Sequence, residues 1–270
     1  MIWADLHCHT RASDGSMEAS SLIRLAKERG LSGLSITDHD TIGAYAEAVK
    51  VAQDLGIHLG VGVEFSAVFE GHDVHLLGYD FDLNSTAIEA LCQRHQNRRA
   101  NRNSQILENL RSLGMEITDL LQQEGKGTIG RPHIAQAMVL KGYVSSVKEA
   151  FRLYLGEGKK CYAQGEKISV DETIEVIHAA HGKAFIAHPH LLPSSFPLDL
   201  LLQRPFDGIE CYYGNFGERA AARWLEIAHK KGWLISGGSD FHGLIKPQIS
   251  LGSQGVTEAT FYQIFEHALT

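Results

Sequence analysis

Ala4-Asp5-Leu6-His7-Cys8-His9-Thr10 is the stretch whose reading decides the fold. Ile2 and Trp3 open an apolar run of the kind that a buried strand shows. Side chains alternate faces along a strand, so His7 and His9 point one way and Cys8 the other. Two imidazoles on one face can offer two nitrogens to a single metal ion. Similar clusters of imidazole and carboxylate recur at the ends of later strand-like segments.

Outward from that strand, Ser13-Asp14-Gly15 reads as a turn, followed by an amphipathic helix over 18–29. A second buried strand over 31–37 ends in Asp38-His39-Asp40, and a helix over 42–55 follows. A third strand over 57–63 ends at Glu64, and a fourth over 74–79 carries His75. The alternation resumes with a helix over 170–181 and a fifth strand over 184–187. That strand ends in His188-Pro189-His190, because Pro189 cannot continue a ladder. A sixth strand (208–213), a helix (218–231) and a seventh strand (233–236) lead into Ser239-Asp240-Phe241-His242, and a last helix covers 257–269. Strand–helix alternation with ligand-type residues at strand ends predicts an α/β fold whose site lies at that end of the sheet, as in barrels and open parallel sheets.

Residues 83–167 break the rhythm. They read as helical throughout, with a long polar helix over 87–113 and shorter ones over 117–123, 133–140 and 146–155. The expected organisation is therefore a main domain of 1–82 and 168–270, with a helical insertion over 83–167 serving as a substrate lid. The long helix carries Arg94, Arg98, Arg99 and Arg102, and Gly130-Arg131-Pro132-His133 follows. Arginine offers phosphate a bidentate fork, so these side chains are expected to grip a phosphate.

Composition narrows the class. At 270 residues, 44% hydrophobic and 21% charged, the chain reads as an ordinary globular protein. A formal net charge of −7 argues against a generally basic nucleic-acid binder, so an anionic partner must meet a local positive patch or a metal. Cys8, Cys92, Cys161 and Cys211 form no C-x-x-C pair and read as reduced thiols of a cytoplasmic protein. The N-terminus lacks a secretory pattern, and no apolar run approaches the ~20 residues of a membrane span.

Nine ligand-type side chains sit at strand ends: His7, His9, Asp14, His39, Glu64, His75, His188, Asp240 and His242. One ion takes about four to six ligands, so nine suit two or three ions. Mixed imidazole and carboxylate donors without thiolate point to Mn²⁺, Fe²⁺ or Zn²⁺. Such a cluster suits phosphate-ester hydrolysis, with the metal activating water in place of a nucleophilic side chain.

Taken together, Asp5-Leu6-His7-Cys8-His9-Thr10, Ile36-Thr37-Asp38-His39-Asp40, Val61-Gly62-Val63-Glu64, His75-Leu76-Leu77-Gly78, Ala187-His188-Pro189 and Gly238-Ser239-Asp240-Phe241-His242 make the chain resemble the PHP (polymerase and histidinol phosphatase) superfamily. The resemblance implies a distorted seven-stranded (β/α) barrel and a trinuclear site, most simply of Mn²⁺. By position, His7, His9, Glu64 and Asp240 would hold one ion. Asp14, His39 and His242 would hold the second, and Glu64, His75 and His188 the third. Ser13-Asp14-Gly15, Arg98-Arg99-Ala100-Asn101-Arg102 and Gly130-Arg131-Pro132-His133 are similar to the subgroup of nucleoside-3′,5′-bisphosphate phosphatases and 5′→3′ exoribonucleases. That likeness implies hydrolysis of the 3′ phosphate ester of a nucleotide, or of short 5′-phosphorylated RNA. Arg98, Arg99, Asn101, Arg102 and Arg131 would hold the 5′ phosphate. His190 and His133 are candidates for the general acid. His190 and the run Gly158-Lys159-Lys160-Cys161-Tyr162 depart from the subgroup's pattern. Alternatives are a monophosphatase for a small metabolite such as histidinol phosphate, and a metal-binding module without turnover. No protein partner and no membrane association are expected.

Overall fold

In the computed structural model, residues 2–121, 129–266, 268 and 269 are described. Among them runs one seven-stranded sheet in sequence order: β1 (Ala4–Cys8), β2 (Gly33–Ile36), β3 (His58–Phe69), β4 (His72–Tyr79), β5 (Lys183–Ile186), β6 (Gly208–Tyr213) and β7 (Leu234–Gly238). β1–β2–β3 and β5–β6–β7 pair in parallel, whereas β4 lies antiparallel to both its neighbours. The ends of the sheet meet. Asp240 N donates to His7 O at 2.7 Å and His9 N to Phe241 O at 2.9 Å, giving a nearly closed barrel. Gly238 makes this closure possible, since a Cβ there would fall 2.4 Å from both the Cβ and the backbone nitrogen of His7.

The strand–helix alternation is interrupted between β3 and β4. β3 does not stop at Glu64 but runs on through Phe69, and no helix intervenes before β4. The reason is local. Phe65 to Phe69 continues an apolar strand, and Glu70 (φ 47°) and Gly71 (φ 84°) form the two-residue, positive-φ turn that matches strand twist in a hairpin. Because β4 runs backwards, His75 in its first half lies level with Ser66, near Glu64.

Helices cover one face of the sheet. α1 (Ala19–Glu28) buries Leu22, Ile23 and Ala26, and α2 (Tyr45–Leu55) buries Tyr45, Ala48 and Ala52. These pack with Leu34, Ile36, Val61, Val63 and Cys211 in one large core. On the other face, turned into the barrel, Ala4, Leu6, Leu77, Tyr79 and Phe185 form a second core. Phe261, Ile264 and Phe265 of the final helix complete it. That helix ends at Ile264, short of the predicted 269, because Leu269 leaves it to exchange two backbone hydrogen bonds with Leu59.

α3 (Thr86–Ser112) belongs to two compact units. Its start supplies Ile88, Leu91 and Cys92 to the large core of the barrel unit, residues 1–92 and 167–270. From Gln93 on it is part of a second unit, residues 93–166. There Ile106 and Leu110 pack with Ile134 and Met138 of a helix over Arg131–Leu140 and with Leu155. The predicted helix over 117–123 is found as Thr118–Leu121, and positions 122 and 123 lie outside the described residues. All four cysteines are buried free thiols. No helix among the described residues is long and apolar enough to cross a membrane.

Candidate metal centre

Two strand irregularities aim the site. On β1, Ala4 and Leu6 face into the barrel while Cys8 joins the outer core, so the alternation is broken. The break coincides with a register shift against β2 between Asp5 and Cys8. β6 and β7 show the same shift between Glu210 and Tyr212. Bulge-type irregularities of this kind re-aim side chains next to functional sites. Asp240 (φ 57°) and His188 (φ 25°) hold left-handed backbone at strand ends, a cost usually stored where a side chain must be aimed.

The nine expected side chains come together around Glu64, which is 1% exposed. Its Oε2 lies 3.2 Å from His9 Nε2, 3.2 Å from His39 Nδ1 and 3.3 Å from His7 Nε2. Its Oε1 lies 2.9 Å from His75 Nδ1 and 2.8 Å from His188 Nε2. Asp240 Oδ1 is 3.2 Å from His9 Nε2 and 3.6 Å from His7 Nε2. Asp14 stands opposite, 3.2 Å from His242 Nε2, 3.5 Å from His9 Nδ1 and 3.8 Å from His39 Nε2. Three groups could each hold an ion: His9, Asp14, His39 and His242; His7, His9 and Asp240; and His39, Glu64 and His75.

Electrostatics of the cluster follow from burial and contact. Burial alone would push the Glu64 carboxyl up, but the imidazoles of His39, His7 and His75 outweigh it and hold it well below the usual range. Burial likewise opposes the ionised form of Asp14 and is outweighed by His39 and His242. Burial opposes a charge on His39 and drives its pKa down to about 3, against the pull of Glu64 and Asp14.

Proton bookkeeping tests whether this donor set fits a cation. His7 Nδ1 faces Glu210 Oε1 at 2.9 Å, which holds a proton on that nitrogen, and its Nε2 faces oxygens of Glu64 and Asp240. His75 Nδ1 and His188 Nε2 face each other at 3.2 Å beside the same Glu64 oxygen. Neither ring nitrogen of buried His9, nor Nδ1 of His39, has hydrogen-bond geometry to any partner. Buried carboxylates and ring nitrogens crowded in this way are stable only with positive charge among them, which protons supply in part and bound cations would supply in full. The residues fit divalent ions.

Sequence reasoning missed the supports. Glu210, fully buried, also accepts from His188 N at 2.7 Å. Asp240 Oδ2 accepts from the Tyr213 hydroxyl at 2.8 Å and from Lys246 Nζ at 2.6 Å, leaving Oδ1 for the cluster. Asp5, raised to about 6 by burial, accepts from Ser239 N and Gly252 N. A carboxylate inside the apolar run 208–213 was the one signal that could have exposed Glu210.

The proposed phosphate grips lie in the second unit. Arg98, Asn101 and Arg102, with Arg94, Asn97 and Tyr162, line an open groove of about 610 Å³ along α3. Arg94 pairs with Glu166 there. Arg131 lies over the Tyr162 ring, 5.7 Å from its centroid. Arg99 is absent from the groove lining, and its guanidinium reaches toward Gly130. His133 Nδ1 accepts from Gly130 N at 2.9 Å and so caps its own helix. His190 lies outside the cluster of nine, against Tyr213, Phe216 and Trp224, and burial lowers its pKa.

The profile of the PHP domain matches residues 5–217. The chain belongs to the PHP family. It is 37% identical over 259 residues to the 5′-3′ exoribonuclease Rnm of Escherichia coli (strain K12), covering 92% of this chain and 87% of that one. It is 32% identical over 246 residues to a 3′,5′-nucleoside bisphosphate phosphatase of Chromobacterium violaceum, covering 88% and 86%. Among solved structures, a candidate metal-dependent phosphoesterase from Bifidobacterium adolescentis superposes on this PHP protein with a TM-score of 0.86 at 32% identity, covering 97% and 94%.

Proposed function

We propose that this PHP protein hydrolyses the 3′ phosphate ester of 5′-phosphorylated nucleotides, acting on nucleoside 3′,5′-bisphosphates and on short 5′-phosphorylated RNA. The observation that carries the reading is the ring of five imidazoles around one buried carboxylate, Glu64. We assign three divalent ions, Mn²⁺ by preference. His7, His9, Glu64 and Asp240 would hold one; Asp14, His39 and His242 would hold the second; Glu64, His75 and His188 would hold the third. Ions there supply Lewis-acid activation of water and neutralise phosphoryl oxygens.

The chain's own residues prepare that chemistry. Glu210 fixes the tautomer of His7, and Tyr213 with Lys246 turns one oxygen of Asp240 inward. Arg98, Arg99, Asn101, Arg102 and Arg131 of the second unit are assigned to the 5′ phosphate on their guanidinium and amide chemistry. In the reaction, water adds its oxygen to phosphorus and the P–O3′ bond breaks. The proton goes to O3′. From a bisphosphate the products are a nucleoside 5′-monophosphate and inorganic phosphate. From RNA they are a 5′-mononucleotide and a chain one residue shorter with a new 5′ phosphate, which is again a substrate.

The test incubates purified protein with Mn²⁺ and, separately, adenosine 3′,5′-bisphosphate, a short 5′-phosphorylated RNA, and histidinol phosphate. Turnover of the first two is expected, abolished by EDTA and by His7→Ala with His9→Ala. RNA cleavage is expected to disappear when the 5′ phosphate is removed. Turnover of histidinol phosphate alone, or activity surviving loss of both histidines, overturns the proposal.

A further inference from the structure

Beside the histidine–carboxylate cluster the barrel unit carries a group of rings that metal ligation does not use. Tyr213 ends β6, and its ring lies 5.4 Å from that of His188 while its hydroxyl donates to Asp240. Stacked on it at 5.8 Å and 22° is His190, two residues beyond His188. Phe216, in the loop after β6, completes a triangle, 5.4 Å from His190 and 5.9 Å from Tyr213, each at 31°. Trp224 closes the far side by meeting His190 nearly edge-on.

Tyr213 and Trp224 are buried, but Phe216 remains 42% exposed. Its backbone is pinned, because its N donates to Tyr213 O at 3.1 Å and its O accepts from Gln254 Nε2 at 2.8 Å. An exposed ring on a pinned backbone thus stands in the loop after β6, packed on Tyr213, which touches His188 and Asp240 of the nine ligand-type residues. Aromatic faces in such places bind bases by stacking, which tolerates any base because each has a π-face.

We infer that Phe216, backed by His190 and Tyr213, is the platform on which a nucleobase of the substrate stacks. The inference rests on the phosphoesterase reading above. It makes Phe216 a binding residue for nucleosides in general, without selection among bases.

The experiment compares KM for adenosine 3′,5′-bisphosphate and for the base-free analogue 1,4-anhydroribitol 3,5-bisphosphate, both with Mn²⁺. Stacking of one base is worth about 5- to 150-fold in affinity, so the wild type should favour the nucleotide by that order. Phe216→Ala should collapse the ratio toward unity through the nucleotide's KM, and Phe216→Trp should restore it. A ratio unchanged by Phe216→Ala, or not restored by Phe216→Trp, overturns the platform while leaving the phosphoesterase reading intact. Turnover of neither substrate by the wild type overturns that reading, and the platform with it.

Discussion

Replacing Glu210 by Gln isolates the proton logic of the metal centre, because it changes neither shape nor volume. The two Glu210 oxygens accept from His7 Nδ1 at 2.9 Å and His188 N at 2.7 Å. A glutamine has one acceptor for these two donors. If its oxygen keeps His7, its NH₂ meets the His188 N–H, an unsatisfied buried pair worth roughly 1–3 kcal/mol. If its oxygen keeps His188, its NH₂ donates to His7 Nδ1, and the His7 proton moves to Nε2. That proton then points at Glu64 Oε2, 3.3 Å away, and satisfies the metal-free protein. The second arrangement leaves no group unpaired, so it is the one expected. It costs the metal site a lone pair. Metal-free Glu210→Gln should therefore melt near the wild type, while Mn²⁺ affinity falls about 10- to 100-fold, or roughly 1.4–2.8 kcal/mol. Calorimetric titration with Mn²⁺ and melting curves with and without the ion separate the two quantities. Wild-type affinity, or a large loss of metal-free stability with affinity unchanged, would show that Glu210 is a structural strut and refute the tautomer argument.

Gly238→Ala should destabilise the fold by ~1–3 kcal/mol or more and weaken Mn²⁺ binding together, since the new methyl lands against the backbone of His7; denaturant titration and metal titration read the two effects. Arg99→Ala with Arg131→Ala should raise KM for adenosine 3′,5′-bisphosphate by about tenfold or more, with each charged hydrogen bond worth roughly 1.5–3 kcal/mol; steady-state kinetics with Mn²⁺ reads the effect, and an unchanged KM refutes the grip. Lys183 is partly buried and donates to Asp80 Oδ2 and the Ile264 carbonyl, both at 2.7 Å. Burial lowers its pKa, but Asp80 outweighs this and raises it above the ordinary 10.5. A raised lysine contributes its full stability below the unfolded value and loses it as pH climbs through the folded one. From neutral pH upward, the melting-temperature gap between wild type and Lys183→Met should therefore hold constant to about pH 10 and shrink above it.

Much of this was legible because strand ends announce themselves. His7, His9, His39, Asp240 and His242 each stand at or within a few residues of the end of a strand-like segment, and all converge in the folded chain. Strand 208–213 and helix 218–231 fall where periodicity put them. What was not legible is tertiary. Glu64 stands mid-strand, because Phe65 to Phe69 finds its partner in β4, a pairing that an expected strand–helix rhythm hides. Glu210 matters through His7, 203 positions away, and Lys246 through the one oxygen of Asp240 that the cluster leaves over. No local pattern encodes such partnerships. They exist only once the sheet closes.

That closure also sets a clock. His7 and Asp240 stand 233 positions apart and meet only where the first and last strands join. At about 5–20 residues per second, a ribosome releases the first imidazoles roughly 10–50 s before the last carboxylate exists. During that interval the nascent chain holds His-x-His with no cavity around it, a site any thiophilic or imidazole-seeking ion could visit and leave. Capture therefore belongs to the finished ring. Ions held there would be selected by the completed geometry and the metal pool that surrounds it, rather than by whichever ion reaches the young chain first.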